Sequence, residues 1–442
     1  MLSTLHPELV KETKRKGAAG ITFAPATYEF KELAAWRELI RGFTIDIPGM
    51  AFLDIDESAD RIVLSTENVE EATPFIHAKL NSFEIPLEAV IIEFAEQMSM
   101  GHSRSFTNCD GPDAVFETFD DECYPVGGGG NGSGGGGGSS GGGHIPEGET
   151  GNGGNTNYTL QSPQSTFVGG VRVKNDKGSA CTLGLNVLFG VYNSRKGFVT
   201  ASDCTEEFAD LDGGDFWQGQ TELGFEVVDR KSFTKYTGDS YCTDGYQCKY
   251  SNVALVEYFP TPSFSQSAPV GVIAQPYIIN SIELLDTDDL YGYYVTDNAS
   301  WPYRNMNIHK VGSTTGLTTG KITKSCADAY VTKDEVNYMF ICVSTTDYSS
   351  SNGDEGAPVI TNSYSSGHYS IYDFEVMLVG FHIGRFSTTG GNVSSVLSGA
   401  RYTVGSVHTG CAYANGWLNS ELCDEGIDIG PFETRFHSYR QQ

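Results

Sequence analysis

The ten cysteines are the most patterned of the reactive side chains. Eight fall into close pairs: Cys109 with Cys123, Cys242 with Cys248, Cys326 with Cys342, and Cys411 with Cys423. The last two, Cys181 and Cys204, lie 23 apart. No Cys-x-x-Cys step and no Cys/His cluster occurs, which argues against a thiolate metal site. An even count in near pairs reads as a disulfide framework, and that needs an oxidising compartment. Cys326 and Cys342 close two stretches, GKITKSC and YMFICVS, that read as a hairpin; a bond there requires the Cα atoms within about 7 Å. The nine histidines, at 6, 77, 102, 144, 309, 368, 382, 408 and 437, are scattered and imply no metal or cofactor. Asn-x-Ser/Thr sequons occur at Asn131, Asn157, Asn298 and Asn392; chance explains them in a chain rich in Asn and Ser.

Fifty-six acidic against 28 basic residues give a net charge of −28. The acidity is shared between residues 1–126 and the remainder, so it is no acidic tail. A field of that sign repels phosphate backbones and argues against nucleic acid or an anionic membrane as partner. No apolar run of about 18 residues is present to span a bilayer. The start, MLSTLHPELVKETKRKG, has no apolar core of a signal peptide. Three alternatives follow: a leader outside this sequence, another export route, or cysteines that stay reduced; the pairing pattern favours export.

Residues 127–143 hold 13 Gly among 17. Such a stretch cannot bury enough apolar surface to offset its ordering entropy. With the polar residues up to 157 it reads as a linker, reaching on the order of 30 Å as a flexible coil. Upstream, the periodicities predict a strand at 21–23 and a helix over 27–42 with Phe30, Leu33, Trp36, Leu39 and Ile40 on one face. Strands follow at 50–55 and 61–65, then a helix at 68–81 and a strand at 89–94. That order, β-α-β-β-α-β, is the split βαβ or ferredoxin-like arrangement. Downstream, short strands rich in Val, Ile, Tyr, Phe and Thr alternate with Gly, Asn, Asp and Ser turns, an all-β signature. The expected division is an α+β domain at 1–97, a disulfide-closed extension at 98–126, the linker at 127–157, an all-β domain at 158–430 and a tail at 431–442.

Four motifs in the all-β part stand in a telling order: CTLGLNV with GFVTASDC, then CKYSNVALVEY, then KVGSTTGLTTGKIT, then NGDEGAPVI. Together they resemble the chymotrypsin-like serine proteases of the bacterial streptogrisin and α-lytic branch, over about residues 165–415. The resemblance implies a double six-stranded β-barrel and a Cys181–Cys204 disulfide. It implies that the triad positions are Asp203 for the histidine, Asn252 for the aspartate and Glu355 for the nucleophilic serine. It further implies oxyanion-hole-like N–H groups around Gly353, Asp354 and Glu355, and a substrate-type strand at Phe381, His382 and Ile383. Lys310 is the candidate cation for a buried Asp354. The N-terminal unit resembles the family's pro-region, which lies against the active site, so it is an expected intramolecular partner.

Triad chemistry needs a nucleophile with a proton to give, an imidazole to take it and a carboxylate to hold the imidazole. Asp203, Asn252 and Glu355 supply neither a hydroxyl or thiol nor an imidazole. The expectation is a protease homologue without triad catalysis, binding a peptide or protein in the old substrate cleft. A Glu at the nucleophile position is long enough to fold back into the oxyanion hole. Two alternatives stay open: an active endopeptidase, if the motifs are misaligned, and a site built on the carboxylates, in which Asp203 and Glu355 hold a hard cation such as Ca²⁺ or share a proton as an aspartic-type hydrolase does.

Overall fold

The computed structural model describes residues 26–100, 158–189, 195–229, 231–238, 241–260, 268–284, 292–299, 302–362, 375–389 and 393–399, with two short strands at 413–414 and 417–418. The predicted strand at 21–23 lies outside these residues. So do two of the expected cysteine pairs, that of Cys109 with Cys123 and that of Cys411 with Cys423.

Two six-stranded β-barrels dominate, and their closure follows from the strand pairing. The first is built from β4 (Arg172–Asn175), β5 (Ala180–Thr182), β6 (Leu185–Phe189), β7 (Arg195–Ala201), β8 (Asp215–Gln218), β9 (Thr221–Asp229) and β11 (Val253–Tyr258), in the order β5-β4-β8-β9-β11-β7-β6. Only Leu183 and Gly184 separate β5 from β6, so the two ends of this sheet are one bent strand. Leu183 still bonds toward β4, accepting from Gly170 and donating to Val171, whereas the N–H of Gly184 turns to Val199 of β7. A Cβ at Gly184 would stand 2.6 Å from the Val199 carbonyl and 2.7 Å from that of Gly356. Glycine is required here by the close approach of the backbones.

The second barrel closes as β14 (Asn307–Gly312), β15 (Gly316–Lys333), β16 (Val336–Thr346), β19 (Val393–Gly399), β18 (Glu375–Ser387) and β17 (Pro358–Asn362), which returns to β14. Inward residues of both barrels merge in one apolar core that includes Val173, Phe198, Leu255, Ile360 and Phe381. The short strands β10 (Gln247–Lys249), β12 (Val272–Ala274) and β13 (Gly292–Asn298) extend the second sheet at its edges.

The N-terminal unit follows its predicted order from the first helix onward: α1 (Phe30–Arg41), β1 (Met50–Asp56), β2 (Arg61–Thr66), α2 (Val69–Ser82) and β3 (Val90–Phe94). The helical face of α1 is narrower than its pattern suggests. Leu33 and Ile40 are buried, but Phe30 is 61% and Leu39 42% exposed. α2 buries Ala72, Ile76 and Leu80, a spacing of four that keeps them on one stripe.

This unit is continuous with the second barrel. β1 pairs antiparallel with β15, Phe52 facing Ala329 and Leu53 facing Asp328, so the sheet runs on through β1, β2 and β3. Beneath it, Leu33, Ile40 and Phe43 share one apolar cluster with Tyr246, Tyr330 and Met339. Asp328, fully buried, receives the Arg41 guanidinium at 2.7 Å and that of Arg37 at 2.9 Å. Three cysteine pairs stand at disulfide distance: Cys181–Cys204, Cys242–Cys248 and Cys326–Cys342. Among the described residues no helix is long and apolar enough to cross a membrane.

Candidate functional site at the barrel junction

Three loops meet between the barrels. Asp203 lies in the 3-10 turn Ser202–Cys204 that ends β7, Asn252 immediately precedes β11, and Glu355 sits in the turn before β17. Backbone bonds tie them together. Ser202 donates to the Asn252 carbonyl at 3.2 Å, and Thr182 donates to the Glu355 carbonyl at 2.9 Å. The Cys181–Cys204 bridge fastens the Asp203 turn to β5, beside Thr182.

The turn from Ser351 to Ala357 is held by its own aspartate. Asp354 is fully buried and accepts hydrogen bonds from the N–H groups of Ser351 (3.0 Å), Thr314 (2.9 Å) and Thr315 (3.1 Å) and from the Thr315 hydroxyl (2.6 Å). Lys310 Nζ, equally buried, lies 2.9 Å from it and donates also to Thr315 Oγ1 at 2.7 Å. Burial pushes the Asp354 carboxyl up, but Lys310 and the Thr315 hydroxyl outweigh it and hold the group below the ordinary carboxylate range. Gly353 has φ +94° and Gly356 φ +86°, the left-handed backbone that glycine adopts without strain.

Within this frame the Glu355 side chain folds back. Its Oε2 accepts the N–H of Gly353 at 2.6 Å, and its carboxylate also meets its own backbone N–H. The residue is 3% exposed. Burial pushes its carboxyl up to about 7 against the pull of those two N–H groups, and the neighbouring Asp354 and Asp203 add to the rise. Asp203 in turn accepts from Lys333 Nζ at 3.2 Å, a cation delivered by the far end of β15 and seated over the Phe208 ring. Asn252 is fully buried; its N–H donates to Ser398 Oγ at 3.1 Å, and its Nδ2 faces the Met100 sulfur at 3.9 Å.

The strand read as substrate-like is the middle of β18. Phe381, His382 and Ile383 are fully buried in different surroundings: Phe381 in the core shared by the barrels, His382 against Tyr348, and Ile383 in the cluster with Phe52 and Met98. His382 Nδ1 lies 3.2 Å from Tyr348 Oη, and burial brings the imidazole down to about 3, so it is neutral at ordinary pH. Beyond it, from Arg385 to Thr388, the strand pairs with the chain's own 95–99 segment. Ser99 and Arg385 exchange both backbone bonds, 2.7 Å and 3.1 Å, and Glu96 donates to the Ser387 carbonyl at 2.9 Å. Ser99 and Met100, the start of the expected extension, thus lie against Arg385 and Asn252.

One cluster escaped the sequence reading. Beside Asp203, the buried Ser202 hydroxyl donates to Asp229, and Lys249 Nζ bonds Ser202 Oγ at 3.0 Å and Asp229 at 3.1 Å. The three come from separate strands and loops, and no local pattern marks them. No group of three or more His, Cys, Asp or Glu side chains is arranged for a metal ion among the described residues.

No protein-family model matches the sequence, and no curated protein matches it. Solved structures similar to it include Thermobifida fusca protease A, 15% identical with a TM-score of 0.34, covering 53% of this chain and 91% of that one. Nocardiopsis protease is 16% identical with a TM-score of 0.35, over 54% and 95%. A glutamic acid specific serine protease, described as using a histidine triad in substrate binding, is 18% identical with a TM-score of 0.36, over 54% and 96%. The strand closure and the order of the converging loops define the architecture: the chain has the double six-stranded barrel fold of the chymotrypsin-like serine proteases, with Asp, Asn and Glu standing at the three positions that the motifs align with the triad.

Proposed function

We propose that the chain is a secreted serine-protease homologue without triad catalysis, whose former substrate cleft serves to bind an extended peptide. The observation that carries this reading is the Glu355 carboxylate on the N–H of Gly353 at 2.6 Å. Those donors are the ones that stabilise a tetrahedral oxyanion in an active enzyme. Here they hold a side chain of the protein itself. No hydroxyl stands at 355, and the partner at 203 is a carboxylate tied to Lys333 rather than an imidazole. A carbonyl entering the junction meets neither an activated nucleophile nor free donors.

The test is turnover of a panel of activated peptide esters, with labelling by a fluorophosphonate probe that reacts with an activated serine. No hydrolysis above background and no labelling are expected, in the full chain and after removal of residues 1–126. Saturable hydrolysis abolished by Glu355→Gln but indifferent to serine-directed inhibitors would replace this reading with a carboxylate enzyme. Labelling would point to an active serine and an active endopeptidase. The triple change Asp203→His, Asn252→Asp, Glu355→Ser is expected to regain measurable ester hydrolysis, whereas Glu355→Ser alone regains none, because a triad acts as a unit. The cation alternative, Ca²⁺ between Asp203 and Glu355, competes with Lys333 for Asp203 and with Gly353 for Glu355; calorimetric titration with Ca²⁺ tests it directly.

A further inference from the structure

We propose that Glu226 and Asp212 form a Ca²⁺ site that clamps the loop 205–214 onto the first barrel. The site shares no residue with the triad positions and does not depend on the loss of catalysis. Glu226 lies on β9 and is only 2% exposed. Its Oε2 accepts the N–H groups of Asp212 at 2.9 Å and Gly213 at 3.2 Å. Its Oε1, buried as deeply, has no hydrogen-bond partner among the described residues. The charges that bear on it most are those of Asp212 and Asp229, both negative. A carboxylate oxygen buried without a donor or a cation is costly, and either a proton or a metal ion relieves it.

The surroundings favour a metal ion. Two carboxyl groups meet here, since that of Asp212 stands within hydrogen-bonding reach of Glu226. Asp212 is exposed, so the pair opens to solvent on one side, the approach that a hydrated ion needs. Asp212 Oδ2 accepts the Glu207 N–H and its Oδ1 the Gly214 N–H, both at 2.7 Å. Each of these oxygens keeps a second lone pair for a cation. The ammonium groups nearby are engaged elsewhere: Lys231 with Asp210 at 2.8 Å, Lys177 with Glu206 at 3.2 Å, and Lys249 with Asp229 at 3.1 Å. The loop sequence DLDGGD at 210–215 offers oxygen donors and neither His nor Cys, a set that suits a hard cation. Ca²⁺ accepts an irregular shell of carboxylate, carbonyl and water oxygens, whereas Mg²⁺ demands a regular octahedron. Gly213, at φ +74°, takes the left-handed turn that wraps the loop around the Glu226 carboxyl.

The clamped loop reaches the barrel junction. Its Phe208 ring lies under two ammonium groups, Lys333 at 4.4 Å and Lys249 at 4.7 Å. The first of these holds Asp203. The N–H of Ala209 donates to Ser202 Oγ at 3.2 Å and to Asp229 at 3.1 Å. An ion at Glu226 and Asp212 therefore steadies the loop that covers the Asp203–Lys333 pair.

The experiment titrates the full chain, stripped with a chelator, with CaCl₂ by calorimetry at neutral pH. One site is expected, with a dissociation constant on the order of 0.1–1 mM, the range of weakly charged extracellular sites. Ca²⁺ at about 10 mM should then shift the unfolding equilibrium roughly 10- to 100-fold toward the fold, read as a higher urea midpoint. Hydrogen exchange of peptides covering 205–214 should slow by about tenfold or more in the same buffer. Glu226→Gln and Asp212→Asn are each expected to abolish the heat and the shift. Should Glu226→Gln fail to fold, Asp212→Asn, at an exposed side chain, decides. Glu355→Gln is expected to bind Ca²⁺ as the parent does. Loss of binding in Glu355→Gln, with retention in Glu226→Gln, would put the ion at the barrel junction and overturn the proposal. No heat up to about 10 mM Ca²⁺ would leave Glu226 as a protonated acid beside Asp212, which also overturns it. Equal binding of Mg²⁺, abolished by added NaCl, would show counter-ion attraction to an acidic surface instead.

Discussion

Replacing Glu355 by Gln removes the charge from the barrel junction and keeps an acceptor for the Gly353 N–H. The magnitude follows from linkage. The carboxyl sits at about 7 in the fold, raised first by burial and then by Asp354 and Asp203, against a reference of 4.5. A group raised in this way contributes its full share of stability below the unfolded value and loses it as pH climbs through the folded value. Two and a half units at about 1.4 kcal/mol each put the loss on the order of 3 kcal/mol by pH 8, with less than about 1 kcal/mol of it incurred at pH 5. Glu355→Gln is therefore expected to be more stable than the parent at pH 8 by a few kcal/mol and nearly equal to it at pH 5. Urea unfolding of both proteins at these two pH values measures the difference directly. Asp54, at about 7, and Glu226, at about 8, are both raised by burial and slope the parent's curve the same way. They are common to both proteins and cancel in the comparison. Parallel pH curves for parent and variant would refute the buried, back-folded carboxylate.

Lys310→Met should cost roughly 3–5 kcal/mol, because it strands Asp354 without its cation. The loss should shrink as pH falls and Asp354 takes up a proton, so the variant recovers relative to the parent in acid; a loss independent of pH would contradict the pairing. Opening the Cys181–Cys204 bridge by paired Ala substitution frees a 23-residue loop and should lower stability by about 3 kcal/mol in the chain-entropy picture, read as an unfolding midpoint shift without a change in barrel circular dichroism.

The barrels were legible because short runs rich in Val, Ile, Tyr, Phe and Thr are cut by Gly, Asn, Asp and Ser turns, and that composition survives whatever the strand pairs with. The motif positions were legible for a related reason: Cys181, Cys204, Gly353 and Gly356 serve backbone geometry, which restricts residue type. Sheet continuation onto β1 was not legible. Strand edges recognise one another through backbone groups that every residue carries, and nothing in the side chains at 50–56 names β15 as the neighbour. The same holds for 95–99, whose Ala, Glu, Gln, Met and Ser are ordinary coil residues until they lie against Arg385. The Asp203–Lys333 pair joins residues 130 positions apart, a separation at which no periodicity speaks. On α1, the apolar stripe overstated the buried face because Phe30 and Leu39 flank it without covering.

The partnership of β1 and β15 also sets a clock on the chain's birth. Arg41 waits for an aspartate 287 positions further on, which at ribosomal rates of about 5–20 residues per second is an interval of roughly 15–60 s. Throughout it the edge of β1 is unpaired and Phe52, which packs against Phe386 in the finished fold, is uncovered. Translation speed, and whatever shelters a nascent strand from its neighbours on the polysome, therefore bears on the yield of this protein more than on that of a barrel whose partners emerge in succession.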